Sequence, residues 1–331
     1  MSPEGFQRDI LAAPERLARL LDESEKSGSP LAQLGDPSAF RRVVFIGMGS
    51  SRFAAVAAAA LLRSRGVDAV AELASTGTPS LPSRDTLAVG ISASGSTAET
   101  VEALARHRGT SRCVAVTNDP ESDLAGVGDV VLPLLAGAEE GGVACLTYQA
   151  TVAVLLLLAG RIACDGPQVA DLRPAIEAAA HLRQGRGSWL DEAVELVDGA
   201  RTTATIAPAE RLSSALQSAL MFREGPRAVA DAAETGDWLH VDVYLSRRPG
   251  YLALLFTGSR FDVDVFGWAA KRAFPAIAIG APVAGAAISV GYPGADDPNV
   301  RLLAETGMAE LVAAELWRRR LEAGDPALID P

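Results

Sequence analysis

The amino-acid sequence predicts an α/β protein made of two doubly wound parallel-sheet halves, and three observations lead to that prediction. Short apolar runs alternate with longer helical patterns from residue 43 onward, which is typical of parallel βαβ units. The same alternation repeats more faintly after residue 200. The chain has 331 residues, of which 49% are hydrophobic and only 5% aromatic, so it can bury the aliphatic core of two medium domains. We expect an N-terminal helix and linker over 1–35, a first domain over 36–165 and a second over 166–331.

The elements of the first half follow from these patterns in order. An amphipathic helix is predicted over 6–23, where Phe6, Ile10, Leu17 and Leu21 recur at helical spacing. An Ala-rich helix follows residue 47, and a further helix is expected over 98–108. The long apolar helix expected over 142–159 contains a run too short to span a membrane. The strands predicted in this half are 43–46, 69–73, 87–91, 114–117 and 130–132.

The second half repeats the alternation with a different loop chemistry. Its predicted strands are 203–206, 252–257, 276–279 and 287–290, and its predicted helices are 168–200, 209–224, 266–274 and 300–321. The segment 207–210 reads Ala-Pro-Ala-Glu where the first half has Gly-Met-Gly-Ser-Ser. This asymmetry suggests that only the first half holds an anion.

The most informative segment, residues 91–100, reads ISASGSTAET between a predicted strand and a predicted helix. Its hydroxyls on Ser92, Ser94 and Thr97 surround Gly95, which can let backbone amides approach a ligand closely. Amides at a helix N-terminus, together with the helix dipole, bind anions such as phosphate. The segment therefore predicts a phosphate cradle, and the same residues also allow a serine-rich turn with an ordinary helix cap.

The composition excludes several classes of function. The formal net charge of −11 argues against nucleic acid, because binding a phosphate backbone needs clustered basic residues; a small phosphorylated ligand needs only a local nest of donors. The three cysteines and three histidines show no metal-type spacing, so neither a metal nor a cofactor is expected. Isolated cysteines and the lack of a signal-peptide pattern favour a cytoplasmic protein without a membrane partner. Schiff-base chemistry has only two candidate amines, on Lys26 and Lys271.

Three motifs in order, at 49–51, 92–97 and 141–144, resemble the sugar isomerase (SIS) domain family. The arrangement is similar to the tandem SIS domains that form the isomerase half of glucosamine-6-phosphate synthases, without their glutaminase half. The resemblance covers about Phe6 to Arg320. It implies two flavodoxin-like αβα domains that bind a phosphosugar.

The resemblance also implies roles for particular residues. The phosphate-binding residues would be Ser51, Ser92, Ser94, Gly95 and Thr97, and the sugar-facing residues would be Gly49, Ser50, Val143 and Ala144. Glu224, at the end of an apolar helical face, would move the proton between C1 and C2. Sixteen residues later, His240 would assist ring opening from a partner subunit, which implies a homodimer with a shared active site.

The chain departs from the family pattern at positions that concern the sugar. Ala93 replaces a glutamine, Met221 replaces a lysine, and the C-terminal tail lacks the Schiff-base lysine. Glu234, expected in a Thr-Gly-Asp loop, adds a carboxylate where the synthases have a small residue. Sugar positioning and any amine-dependent step therefore differ from the pattern.

Three functions remain open from the sequence. The first is an isomerase or deaminase that removes the C2 proton of glucosamine 6-phosphate or N-acetylglucosamine 6-phosphate, with phosphate binding positioning the sugar. The second is a lyase (dehydratase) that eliminates the C3 hydroxyl of N-acetylglucosamine 6-phosphate, with Glu234 as a second acid. The third is a non-catalytic phosphosugar sensor.

Overall fold

A computed structural model describes residues 1–26 and 28–328. The chain divides into two compact units. We call Glu15–Ala138 with Leu146–Arg173 the first-sheet unit. We call Met1–Pro14, Glu139–Cys145 and Pro174–Pro331 the second-sheet unit. The short segment 139–145 thus belongs with the second sheet, although it lies inside the first half of the sequence.

The first sheet has five parallel strands in the order β2-β1-β3-β4-β5. The strands are β1 (Arg42–Gly47), β2 (Asp68–Leu73), β3 (Thr86–Ile91), β4 (Arg112–Thr117) and β5 (Val130–Pro133). The helices in this part of the chain are α1 (Pro3–Glu25), α2 (Gly49–Ser64), α3 (Ala98–Ala105), α4 (Asp123–Val127), α5 (Leu146–Ala163) and α6 (Val169–Leu172). Short 3-10 turns lie at Pro30–Leu34 and Pro37–Ala39.

The second sheet is also parallel, with the order β10-β9-β8-β6-β7. Its strands are β6 (Thr202–Ala207), β7 (Ala230–Glu234), β8 (Tyr251–Phe256), β9 (Ala276–Ile279) and β10 (Ile288–Val290). The helices are α7 (Pro174–Gln184), α8 (Leu190–Asp198), α9 (Leu212–Glu224), α10 (Thr235–His240), α11 (Asp262–Arg272), α12 (Pro298–Ala304) and α13 (Thr306–Glu322). From its β7 edge this sheet has the same order as the first. The predicted pair of doubly wound, flavodoxin-like sheets is therefore confirmed.

The core is formed by the central strands and by α5. All six residues of β3 and of β8 are buried, as expected for parallel strands covered on both faces. The helix Leu146–Ala163 is apolar enough to cross a membrane, but 89% of it is buried inside the protein. Such burial is typical of a core helix.

The structure differs from the sequence-based elements in several places. The helix predicted over 168–200 is divided into α6, α7 and α8, and the short helices α4 and α10 were not predicted. The apolar helix predicted from residue 142 begins at Leu146, because 139–145 is a separate segment that contains a positive-φ glycine, Gly142. The closing helix predicted over 300–321 is two helices that meet at Glu305. The prediction also missed β7, an edge strand of sequence ADAAE in which only Ala230 and Ala233 are buried. An edge strand this short and polar lacks the apolar run that identified the others.

Candidate functional site

The strand order places a topological switch point between β1 and β3, because β2 lies on one side of β1 while β3 and β4 lie on the other. In doubly wound sheets, ligands bind at the carboxyl ends of the strands at such a point. Gly47 ends β1 and Ile91 ends β3, and the two residues are register partners. The loops 47–51 and 92–97 therefore leave the sheet side by side. All five sequence-predicted phosphate residues lie on them.

Gly47 is tightly enclosed between these loops. A Cβ added to Gly47 would lie 3.1 Å from the Cβ of Ser51 and 3.3 Å from the carbonyl oxygen of Ile91. Ser51 is therefore close to the end of β3. Gly49, Ser50 and Ser51 form the start of α2, and Gly49 has a φ of +49°, a conformation that favours glycine.

The hydroxyls of the second loop form a connected cluster. Ser92 Oγ lies 2.9 Å from Thr97 Oγ1 and 3.5 Å from Ser94 Oγ. The amide of Gly95 donates to Ser92 Oγ at 3.1 Å. Ser92 is buried and Ser94 is exposed, so the hydroxyl cluster extends from the base of the loop to its rim.

The main chain of this loop is oriented by bonds to the β4 and α4 side. The carbonyl of Ala93 accepts from the amide of Asn118 at 3.0 Å, and the carbonyl of Gly95 accepts from an α4 amide at 2.9 Å. The C=O and N–H of a trans peptide point in opposite directions. The amides of Ser94 and Ser96 therefore point away from the β4–α4 side.

The helix that follows the loop adds further donors. Thr97 is the N-cap of α3, and its side chain makes no capping hydrogen bond. The first-turn amides of Ala98 and Glu99 have no acceptor within the helix. These two amides and the hydroxyls of Ser92, Ser94 and Thr97 form a set of neutral donors suited to a phosphate.

Gly95 is required by packing as well as by conformation. Its φ is +67°, and a Cβ there would lie 2.0 Å from Ser122 Oγ and 2.8 Å from Thr117 Oγ1. These close neighbours hold the loop against the β4–α4 side. A side chain at position 95 would displace the loop that carries the hydroxyl cluster.

We therefore expect Gly95→Ala to destabilise the protein by about 2–5 kcal/mol, since it combines a positive φ with a steric overlap. The measurement is the unfolding midpoint in urea. The matched control is Gly126→Ala, because Gly126 lies in α4 with open space at its Cβ position. That substitution should leave stability unchanged or raise it by about 0.5–1 kcal/mol. Equal midpoints for the two variants would contradict this account of the loop.

In the second-sheet unit, Glu224 is the last residue of α9 and is half-buried. Within the described residues its carboxylate has neither an ion pair nor a hydrogen bond. Burial raises the pKa of Glu224, and the charges of Arg227 and Arg223 partly oppose that rise. The result is an uncommitted carboxylate that holds a proton more tightly than it would in water.

The segment of Val143 and Ala144 is tied to the same helix. Gln217, on α9 two turns before its end, donates from Nε2 to the carbonyl of Ala144 at 2.7 Å. The amide of Gly141 donates to the buried carboxylate of Asp9 at 2.7 Å. Val143 is fully buried and Ala144 is partly buried, so these contacts fix the backbone of the segment.

The helices α9 and α10 lie on opposite faces of the second sheet. Thr205 on β6 donates from Oγ1 to the carbonyl of Ala215 in α9, at 2.8 Å. The next residue, Ile206, is buried in a cluster with Trp238 of α10. Successive strand side chains point to opposite faces of a sheet, so Thr205 and Ile206 contact helices on different faces. The chain crosses from β6 to β7 in one direction and from β7 to β8 in the other. Right-handed crossovers in opposite directions also place α9 and α10 on opposite faces.

This arrangement separates the three candidate catalytic side chains. Glu234 ends β7 and caps α10, its Oε2 accepting from the amide of Asp237 at 2.8 Å. His240 is the exposed last residue of α10. Glu234 and His240 therefore flank one short helix, while Glu224 ends the helix on the other face. A single chain does not bring Glu224 together with His240.

Two side chains that the sequence interpretation missed lie next to the predicted site residues. Gln217 is fully buried, and its Oε1 has no hydrogen-bond partner among the described residues. Arg52 follows Ser51 in α2, and its buried Nε likewise lacks a partner in the described part of the chain. A glutamine among the apolar residues of α9 was the available sequence signal for the first.

Both lysines, the candidate amines for Schiff-base chemistry, are exposed and in contact with other side chains. Lys26 is exposed and paired with Glu23 at 2.7 Å, and Lys271 is exposed over the ring of Trp268 at 4.6 Å. Among the described residues, no group of three or more His, Cys, Asp or Glu side chains could hold a metal ion.

The family comparison concerns the unit that contains the switch-point loops. The family model of the SIS domain matches residues 39–161, which include both loops. Over residues 39–161 the chain is therefore similar to an SIS domain. Over 130 residues the chain is 36% identical to glutamine–fructose-6-phosphate aminotransferase (isomerizing) 1 of Arabidopsis thaliana. That match covers 38% of this chain and only 19% of the relative.

Solved structures extend the likeness beyond residues 39–161 at the level of the fold. The C-terminal domain of glucosamine-fructose-6-phosphate aminotransferase from Francisella tularensis gives a TM-score of 0.80 at 16% identity, covering 95% of this chain and 96% of that one. Tagatose-6-phosphate ketose/aldose isomerase from Escherichia coli gives a TM-score of 0.79 at 17% identity, covering 96% of this chain and 93% of that one. Glucosamine-6-phosphate deaminase from Thermotoga maritima gives a TM-score of 0.71 at 20% identity, covering 96% of this chain and 95% of that one. The chain has the fold of phosphosugar isomerases and deaminases.

Proposed function

We propose that the protein is an enzyme that removes the C2 proton of a hexosamine 6-phosphate, either glucosamine 6-phosphate or its N-acetyl form. The observation on which the proposal mainly rests is Glu224, a half-buried carboxylate with a raised pKa and no partner among the described residues. A general base needs an uncommitted carboxylate whose pKa lies closer to the working pH. The product is an isomerised or deaminated sugar phosphate.

The loop of Ser92, Ser94, Gly95 and Thr97, with Ser51, is assigned to the phosphate. Its support is the donor set described above, at the switch point of a matched SIS domain. Such binding, remote from C2, holds the sugar in position for the proton transfer. Gly49, Ser50 and the backbone of Val143 and Ala144 are assigned to the sugar.

His240 is assigned to ring opening in the site of a partner subunit. The separation of α9 and α10 by the second sheet supports this assignment, because Glu224 and His240 of one chain lie on different faces. A two-fold dimer that joins the end of α9 to the partner's α10 would complete the pair. The functional form is therefore a homodimer with a shared active site.

The substrate test is incubation with glucosamine 6-phosphate and with N-acetylglucosamine 6-phosphate in D₂O. We expect deuterium at C2 of the recovered sugar and at C1 of any ketose, measured by NMR, with ammonia released if the reactive sugar is deaminated. An unsaturated product would instead identify the C3 lyase, in which Glu234 would have to leave its capping position. Binding of both sugars without exchange would identify a sensor, and absence of binding would remove the phosphate assignment.

The pH dependence of kcat should carry the signature of Glu224. The base must be ionised, so kcat should fall as the pH drops through its raised pKa, at higher pH than for an ordinary carboxyl. Arg227→Asn removes the positive charge that most lowers this pKa, and Asn tolerates the φ of +55° at that position. The acid limb should then move to higher pH. In the control Arg248→Gln, at an exposed arginine, it should not move.

A further inference from the structure

The second-sheet unit has its own switch point, between β6 and β8, and the loop after β8 begins as the phosphate loop does. The amide of Thr257 donates to the carbonyl of Ile279 on β9 at 2.9 Å, just as the amide of Ser92 donates to Val116 on β4 at 3.1 Å. In both sheets the residue after the third strand is thus tied to the fourth. The loop 257–261 then leads into α11.

The chain's own carboxylate lies on the main chain of this loop. Asp262, the first residue of α11, is buried, and its Oδ2 accepts from the amide of Gly258 at 2.6 Å. Burial raises the pKa of Asp262, while the amides of Gly258 and Ser259 and the charges of Arg211 and Arg301 lower it. The other carboxylate oxygen, Oδ1, is buried without a hydrogen-bond partner among the described residues.

Two guanidinium groups lie close to Gly258 in this loop. Gly258 has a φ of +128°, and a Cβ there would lie 2.7 Å from Arg301 Nη1 and 2.9 Å from Arg211 Nη2. Arg211 is committed to a buried ion pair with Glu305 and to the carbonyl of Thr257 at 2.5 Å. Arg301 donates from Nε to a main-chain carbonyl, and its Nη groups make no hydrogen bond within the described residues.

Loop amides, a helix N-terminus and arginine forks are together the donor set of a phosphate site. An ordinary helix cap needs only the amides, so the two arginines are what distinguish this place from the other carboxylate caps. Among the described residues the Asp262 carboxylate forms no ion pair with either arginine, and the Nη groups of Arg301 are unused, so a carboxylate fills the cradle only in part. A tetrahedral oxyanion, with more oxygens, could use the donors that remain.

We propose that the second half contains an anion site for a phosphate group that the chain occupies with its own Asp262 carboxylate. The native protein therefore binds phosphate in its first half only, and the second site becomes available when the carboxylate is removed. This inference does not depend on the reaction proposed above.

The test counts inorganic phosphate bound per chain, by titration calorimetry and by the thermal midpoint at rising phosphate. Asp262→Ser keeps a hydroxyl that can accept from the Gly258 amide, as the serines of the first loop do, so it is the variant expected to fold. It should bind one more phosphate per chain than the native protein. Adding Arg301→Met to that variant should remove the extra phosphate.

The matched control is Asp297→Ser. Asp297 also caps a helix in this unit, accepting from the amide of Asn299 at 2.7 Å, and its loss should leave the phosphate count unchanged. Asp262→Ala serves as a second variant, with the same gain expected. An unchanged count in folded Asp262→Ser and Asp262→Ala, or native protein that already binds phosphate at this loop, would overturn the proposal.

Discussion

Glu224→Gln should lower kcat by about 10²–10⁴-fold, the range over which a positioned general base contributes, while phosphosugar affinity stays within a few-fold of the native value. Glutamine keeps the shape of the side chain and removes its basicity. The residues proposed above to bind the phosphate lie on loops of the first sheet and are unchanged in this variant. The measurements are kcat from product formation, C2–H exchange in D₂O, and affinity by calorimetry.

The control for this prediction is Glu195→Gln, at an exposed acid of α8, which should leave all three quantities unchanged. Retention of more than about a tenth of kcat by the Glu224 variant would exclude a general-base role. Loss of affinity together with kcat would instead place Glu224 in substrate binding.

Stability should change in the opposite direction to activity. The folded state raises the pKa of Glu224, so the charged form is less favourable in the fold than in the unfolded chain. The related stability is present at low pH and is lost as the pH rises through the raised pKa. At neutral pH, Glu224→Gln should therefore be as stable as the native protein or more so. Such a trade between activity and stability is common at catalytic groups.

The order of elements was predictable because parallel strands buried on both faces produce continuous apolar runs. The strand over 87–91 and the helix from residue 98 were placed almost as the structure has them. The loop between them could be identified as a candidate phosphate site because a phosphate cradle uses small residues and hydroxyls that are adjacent in sequence. A pattern formed by residues that are adjacent in the chain can be recognised from a single sequence.

The rest of the site depends on contacts between distant residues. The tie between Gln217 and Ala144 spans 73 positions, and nothing in either local sequence indicates it. The sequence placed Glu234 in a loop, whereas in the structure it ends β7 and caps α10. That Glu224 and His240 lie on different faces follows from the crossover direction at an edge strand that the apolar pattern did not reveal.

The separation of Glu224 and His240 makes the homodimer testable by mixing two inactive variants. Suppose that each site uses Glu224 of one chain and His240 of the other. A mixed dimer of Glu224→Gln and His240→Asn chains then has one site with both defects and one intact site. At equal mixing, half of the dimers are mixed, so about one quarter of native activity should return.

The experiment requires co-expression of the two variants with different affinity tags, followed by purification on both tags. Each parent should be nearly inactive, and the doubly purified dimer should have about half of the native activity per dimer, because one of its two symmetric sites is intact. The negative control pairs Glu224→Gln with a chain that carries both substitutions. No intact site can form in that pair, so its activity should remain at the level of the parents.

The outcomes distinguish three arrangements of the site. If Glu224 and His240 acted within one chain, every site of the mixed dimer would carry one defect, and activity would not return. If His240 took no part, the His240→Asn parent would be active alone. Because the second sheet lies between α9 and α10, we expect His240 to act from a second chain and the mixed dimer to recover activity.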